Sequence, residues 1–230
     1  MRNLHSNIVT NVSDILLDID GVILDQSFDN LFWQELVPLE LSSSKGISIE
    51  SAKAEIKKTA SKIHGTLPWY ELEYWENKYD LDLLTVAREH SSKINYLPDS
   101  EKALKKLASL NKRVILLTNC DPRLLNVKAK AIPFMQYVDG CISCVEIGAV
   151  KESQKFWGPA FRYFNINPDF SLFADDNLYV VNSSIKAGIL NSFQVLEPTG
   201  DGSIINEPGT DLTIKNIGCL LYTSPSPRDL

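Results

Sequence analysis

The stretch Asp14-Ile15-Leu16-Leu17-Asp18-Ile19-Asp20-Gly21-Val22 decides how the rest of the chain is read. Ile15, Leu16, Leu17 and Ile19 form an apolar run too short for a core helix and rich in strand formers, so it reads as a buried strand. Asp18 and Asp20 interrupt its C-terminal end, and Gly21 then lets the chain turn. In α/β proteins, ligands bind outside the carboxyl ends of parallel strands. Two acids this close repel each other unless a cation or a shared proton sits between them. Taken alone, the pair fits a strand end with capping aspartates equally well.

The same layout recurs further along. Arg113-Val114-Ile115-Leu116-Leu117 reads as a second buried strand and ends in Thr118-Asn119. A short third strand falls around Gly140-Cys141-Ile142, and Lys151 then opens a helix through Trp157 and Phe164. Phe170-Ser171-Leu172-Phe173-Ala174 is a fourth strand and ends in Asp175-Asp176; Phe193-Gln194-Val195-Leu196 is the last. Helical patterns separate them, with Pro98-Asp99 and Pro122 at two helix starts. The alternation predicts a mostly parallel sheet with right-handed crossovers. In such a sheet the polar strand ends share one edge, so carboxylates, one hydroxyl and one ammonium converge. That set suits a hard cation such as Mg²⁺ beside a phosphate.

Between the first two strands the pattern is helical throughout. Phe28, Leu31, Phe32, Leu36 and Leu39 recur at helical spacing, and Pro38 is expected to kink or end that helix. Ser48 caps a second helix lined by Ala52, Ile56, Ala60 and Ile63, and shorter helices follow around Trp69–Trp75 and Asp80–Glu89. The domain plan is a core of residues 1–23 and 96–218, an inserted helical cap of 24–95, and a non-native or disordered tail of 219–230. Residues 205–216 allow one peripheral helical turn.

Composition narrows the function. The chain has 230 residues, 44% hydrophobic, with a formal charge of −6, which suits one large core and disfavours a nucleic-acid polymer as partner. No run reaches transmembrane length and no signal peptide is visible, so a cytoplasmic, non-membrane protein is expected. Cys120, Cys141, Cys144 and Cys219 read as free thiols. Monomer and homodimer both stay open.

The strand-end residues also resemble, in order, the motifs of the haloacid dehalogenase-like (HAD) hydrolases: Asp18-Ile19-Asp20-Gly21-Val22, Thr118-Asn119, Lys151 and Asp175-Asp176. Each is weak alone; Lys151 by itself reads as a solvated lysine and Asp175-Asp176 as helix caps. The resemblance, over roughly residues 13–200, implies a three-layer Rossmannoid α/β core with a type C1 helical cap. It implies Asp18 as a nucleophile that becomes an aspartyl-phosphate, and Asp20 as general acid/base. Thr118 and Asn119 would hold phosphoryl oxygens, Lys151 would offset charge, and Gly21 would allow the turn. Mg²⁺ would be held by Asp18, the Asp20 carbonyl and Asp176, with Asp175 orienting a metal-bound water. An acid at position 20 favours phosphate esters over carbon–halogen bonds. Asp121 is expected to add charge near the anion site.

The cap stretches from Ser27 to Pro38 and from Thr66 to Tyr70, with Tyr74 and Trp75 following, resemble the branch of purine nucleoside 5′-monophosphate phosphatases acting on GMP and IMP. That implies Trp33, Trp69 and Tyr70 as rings that stack on a purine, although each also suits packing of the cap. His64 is a further candidate to face substrate. The alternatives are a phosphoglycolate or sugar-phosphate phosphatase of the same fold, and an inactive interaction protein that keeps the fold.

Overall fold

The computed structural model describes residues 4–221. Strands β1 (Asp14–Leu17), β2 (Arg113–Thr118), β3 (Gly140–Ser143), β4 (Ser171–Asp175), β5 (Asn191–Val195) and β6 (Thr213–Ile214) form one sheet in the order β3-β2-β1-β4-β5-β6. Every pairing is parallel. The order reverses beside β1, which places a crevice at the carboxyl end of β1 and β4. Register sets what meets there: Leu17 lies opposite both Leu116 and Ala174, and the Asp18 N–H donates to Ala174 O at 2.9 Å.

Helices α1 (Leu4–Asn11), α2 (Ser27–Leu31), α3 (Val37–Lys45), α4 (Ile49–Ile63), α5 (Leu67–Tyr70), α6 (Leu72–Tyr79) and α7 (Leu83–Glu89) precede β2, as does α8 (Ser100–Ala108). Helices α9 (Pro122–Ala131), α10 (Cys144–Ile147), α11 (Gln154–Phe164) and α12 (Leu178–Lys186) connect the later strands. Strand side chains alternate between faces, and the core divides accordingly. Ile15, Leu17, Val114 and Leu116 pack on one side of the sheet; Leu16, Ile115, Leu117 and Phe173 pack on the other with Phe156 and Trp157 of α11. The result is a three-layer Rossmannoid core. Helices α2 to α7, inserted between β1 and β2, form the helical cap, and their buried Phe32, Leu41, Ile56 and Trp75 continue the first of these clusters.

Four local expectations change. Pro38 does not end its helix. It stands at the second residue of α3 in a helix that continues through it, and a π-helical turn over Phe32–Leu36, the kind of irregularity a proline brings to a continuing helix, lies just before it. The stretch stops only at Gly46, whose φ of +64° closes the last turn. Lys151 does not open a helix: α11 begins at Gln154, capped by Ser153, and Lys151 lies in the turn before it. Residues 205–216 contain the short β6 instead of a helical turn, followed by a 3₁₀ turn at Ile217–Leu220. Leu220 is buried in the core, while residues 222–230 of the expected tail lie outside the described residues. Among the described residues no helix is long and apolar enough to cross a membrane.

Candidate active site

Strand β1 delivers Asp18 to the crevice one residue past its end, and β4 delivers Asp175 as its last residue. Lys151 joins them. Its Nζ donates to Asp18 Oδ1 at 2.6 Å, to Asp175 Oδ2 at 2.7 Å and to Leu117 O at 3.0 Å, so all three of its protons have acceptors. The side chain is only 2% exposed. Burial pulls the ammonium toward neutrality, but Asp175 and Asp18 outweigh it and hold Lys151 charged.

Carboxylate oxygens of Asp18, Asp175 and Asp176 all lie within 4.8 Å of one another. Burial pushes each of the three carboxyls up, and the neighbouring acids add to it against the pull of Lys151. Asp175 is raised to about 7. Three hard oxygen donors that resist ionisation together are the chemistry a divalent cation relieves, so the residues form a candidate metal site. Gln26 Nε2 steadies Asp176 Oδ2 at 3.2 Å, and Asn206 Nδ2 donates to Asp176 O at 3.0 Å.

The end of β2 contributes donors. Thr118 Oγ1 accepts the Cys120 N–H at 3.0 Å, which leaves its own proton for a ligand. Asn119 Oδ1 accepts the Lys151 N–H at 3.0 Å, and its Nδ2 donates to Glu152 Oε2 at 2.9 Å. Tyr70, from the cap, donates to the other Glu152 oxygen at 2.7 Å. Burial and the Glu152 charge push the Tyr70 phenol well up, so it stays a donor. Gly21 has φ +79°, and a Cβ there would stand 2.8 Å from Asp176 Cγ. Its N–H donates to Leu24 O at 2.7 Å, so this residue makes a turn against Asp176 and has no amide to offer a ligand.

Core and cap enclose a cleft of about 820 Å³ lined by Asp18, Asp20, Thr118, Asn119, Lys151, Asp175 and Asp176 on one side. Trp33, Trp69, Tyr70, Trp75, His64, Glu35 and Lys53 line the other. The aromatic wall is one packed group: Trp33 and Trp69 lie 5.3 and 6.1 Å from Trp75, and His64 meets Trp69 at 4.9 Å. Asp121 lines the same cleft, as expected, but both of its carboxylate oxygens are already engaged. It is buried, caps α9 through Arg123 N, and accepts the Leu72 N–H of α6 at 2.9 Å, tying cap to core. Cys141 and Cys144 are free thiols pushed up to about 12 by burial, unsuited to nucleophilic work.

The chain is 31% identical over 196 residues to the GMP/IMP nucleotidase YrfG of Escherichia coli K12, covering 85% of this chain and 88% of the relative. It belongs to the haloacid dehalogenase-like hydrolases. The relative from Shigella flexneri matches to the same extent. In fold, the HAD phosphatase from Thermococcus onnurineus superposes with a TM-score of 0.76 at 20% identity, over 91% of this chain and 96% of that one. The defluorinating L-2-haloacid dehalogenase Rha0230 gives 0.63 at 15% identity, over 97% and 98%. No protein-family model matches the chain. The acidic cluster beside a buried lysine makes this HAD-like chain a hydrolase by its chemistry as well as its kinship.

Two site residues escaped the sequence reading. Lys128 of α9 and Asp29 of α2 sit beside Asp20. Lys128 Nζ lies 2.8 Å from both Asp29 oxygens and 2.7 Å from Asp20 Oδ1, the latter a close ion pair without hydrogen-bond alignment. The signal was present: Leu124, Val127, Lys128 and Ala131 share one helix face, so a lysine stood at an inward position.

Proposed function

We propose that this hydrolase is a Mg²⁺-dependent phosphomonoesterase that works through an aspartyl-phosphate at Asp18 and acts on purine nucleoside 5′-monophosphates of the GMP and IMP type. The observation that carries the reading is the Lys151 ammonium held between Asp18 and Asp175, with an Asp176 oxygen in the same cluster. Asp18, Asp176 and the Asp20 carbonyl would hold Mg²⁺, with Asp175 orienting a water, and the bound ion offsets charge on the phosphoryl oxygens. The Asp18 carboxylate attacks phosphorus while the ester P–O bond breaks, and Asp20 gives its proton to the departing alcohol oxygen. Asp20 then takes a proton from the water that opens the acyl phosphate, releasing phosphate and restoring Asp18. Thr118 and the backbone amide of Asn119 hold phosphoryl oxygens, and Lys151 stabilises the charge that gathers there.

The cap supports a purine. Trp33 and Trp69 offer ring faces or edges to a flat base. Lys53 and Glu35, paired at 2.7 Å on the same cleft, supply a donor and an acceptor that match the O6 and N1–H of a 6-oxopurine. Adenine presents the reverse pattern. The chain's kinship with a GMP/IMP nucleotidase agrees. Small soluble nucleotides, and no polymer or membrane, are the partners of this reading, and a cytoplasmic setting suits it. The test is kcat/KM over GMP, IMP, AMP, UMP, phosphoglycolate and sugar phosphates with Mg²⁺. GMP and IMP are expected to lead; a sugar phosphate or phosphoglycolate preferred by about tenfold overturns the substrate assignment.

A further inference from the structure

Lys128 is 1% exposed on α9, its ammonium surrounded by two carboxylates and the Phe28 ring, whose centre lies 6.0 Å away. A buried lysine is costly unless its partners are well placed. Here the two partners are held differently. Asp29 takes both its oxygens to Nζ at 2.8 Å and anchors the ammonium to the start of the cap. Asp20 meets the same ammonium with Oδ1 at 2.7 Å, a pair held by charge and proximity more than by alignment, and its carboxyl also lies against that of Asp29. Charge therefore fixes one oxygen of Asp20 while leaving its carboxyl group on the cleft. None of these three groups touches Lys151. A purely structural tie between α2 and α9 would need only Lys128 and Asp29, and would not recruit the side chain two residues past Asp18.

We propose that Lys128, anchored by Asp29, is a positioning residue that holds the Asp20 carboxyl in place for proton transfer to the leaving oxygen. The inference rests on the reading of Asp20 as general acid. Its signature is dependence on the leaving group: an alkyl alcohol needs the proton, whereas dinitrophenolate leaves without one. The measurement is first-turnover release of the leaving group from GMP and from 2,4-dinitrophenyl phosphate, at saturating Mg²⁺, for the wild type, Asp20→Asn, Lys128→Met and Lys128→Met/Asp29→Asn. The double variant removes one charge of each sign and covers the case in which Lys128→Met alone fails to fold.

Asp20→Asn is expected to lose roughly 100-fold or more on GMP and far less on the aryl ester. Lys128→Met, or the double variant, is expected to lose roughly 10- to 100-fold on GMP with less than about threefold on the aryl ester and little change in KM. Equal losses on both esters, or none on GMP, while Asp20→Asn keeps its split, overturn the role of Lys128 alone. Loss of the split in Asp20→Asn itself overturns the general-acid reading, and the proposal with it.

Discussion

Lys151 and Lys128 are both buried ammoniums set between two aspartates, yet they are built differently. Lys151 sits in a turn at the sheet edge and spends its three protons on Asp18, Asp175 and Leu117 O. Lys128 sits inside helix α9, bonds Asp29 and only approaches Asp20. The first neutralises the place where phosphoryl charge gathers; the second restrains a neighbour. Burial between two aspartates therefore does not by itself say what a lysine does, and the acid it faces decides.

Removing the more tightly bound lysine should separate the two most strongly. Lys151→Met is expected to lower kcat on the order of 10³-fold on alkyl and aryl phosphates alike, because charge at the phosphoryl group is common to both. It also leaves Asp18 and Asp175 buried without their counter-charge, a cost of about 3–5 kcal/mol, visible as a fall in the denaturant midpoint. A loss confined to alkyl esters would make Lys151 resemble Lys128 and erase the contrast.

Gly21→Ala tests the geometry behind both pairs. The added Cβ meets Asp176 Cγ at 2.8 Å and Pro198 Cβ at 2.9 Å, at a φ of +79°. Strain on the order of 1–3 kcal/mol and a weaker response to Mg²⁺ are expected, measured by thermal melting with and without the ion. An unchanged Mg²⁺ response would uncouple the turn from Asp176.

The acids around Lys151 give a pH dependence. Asp175 moves from 3.8 to about 7 on folding, through burial and the Asp18 charge, against Lys151. A carboxyl raised in this way contributes its full stability below 3.8 and loses it as pH rises through about 7. Mg²⁺ binds the ionised form, so the melting shift it produces should grow between about pH 5 and about pH 8. At a hundredfold excess over its dissociation constant the stabilisation is about 2.7 kcal/mol. A shift independent of pH would mean that the ion sits elsewhere.

The smallest effect concerns the cap. Tyr70→Phe removes the 2.7 Å bond to Glu152, which also accepts from Asn119. A rise in KM of a few fold and a loss of about 0.5–1.5 kcal/mol are expected. Unchanged KM would mean that Tyr70 does no more than pack.

Much of the core was legible because each strand is apolar and each stops at polar residues. In a parallel sheet, that alone brings Asp18, Thr118, Asp175 and Asp176 to one rim, where the structure has them, and Lys151 joins them from the turn that follows α10. The cap's helices were legible from period and from the Ser48 cap, whose side chain accepts the Ser51 N–H. Strand β6 was not, since two residues are too few to show alternation. Pro38 misled because a helix can take up a proline through an irregular turn and continue. Lys128 and Asp29 went unseen because charge on a helix is ordinarily wet. Only the inward position of Lys128, beside Val127, marked it, and its partner lies on a different helix.

Phosphate release from GMP in the presence and absence of Mg²⁺, for the wild type beside Asp18→Asn, tests the chemistry at this rim most directly. Release that requires Mg²⁺ and falls on the order of 10⁴-fold or more in the variant is the expected result. Release that survives the substitution undiminished would contradict Asp18 as the atom source of the new bond to phosphorus.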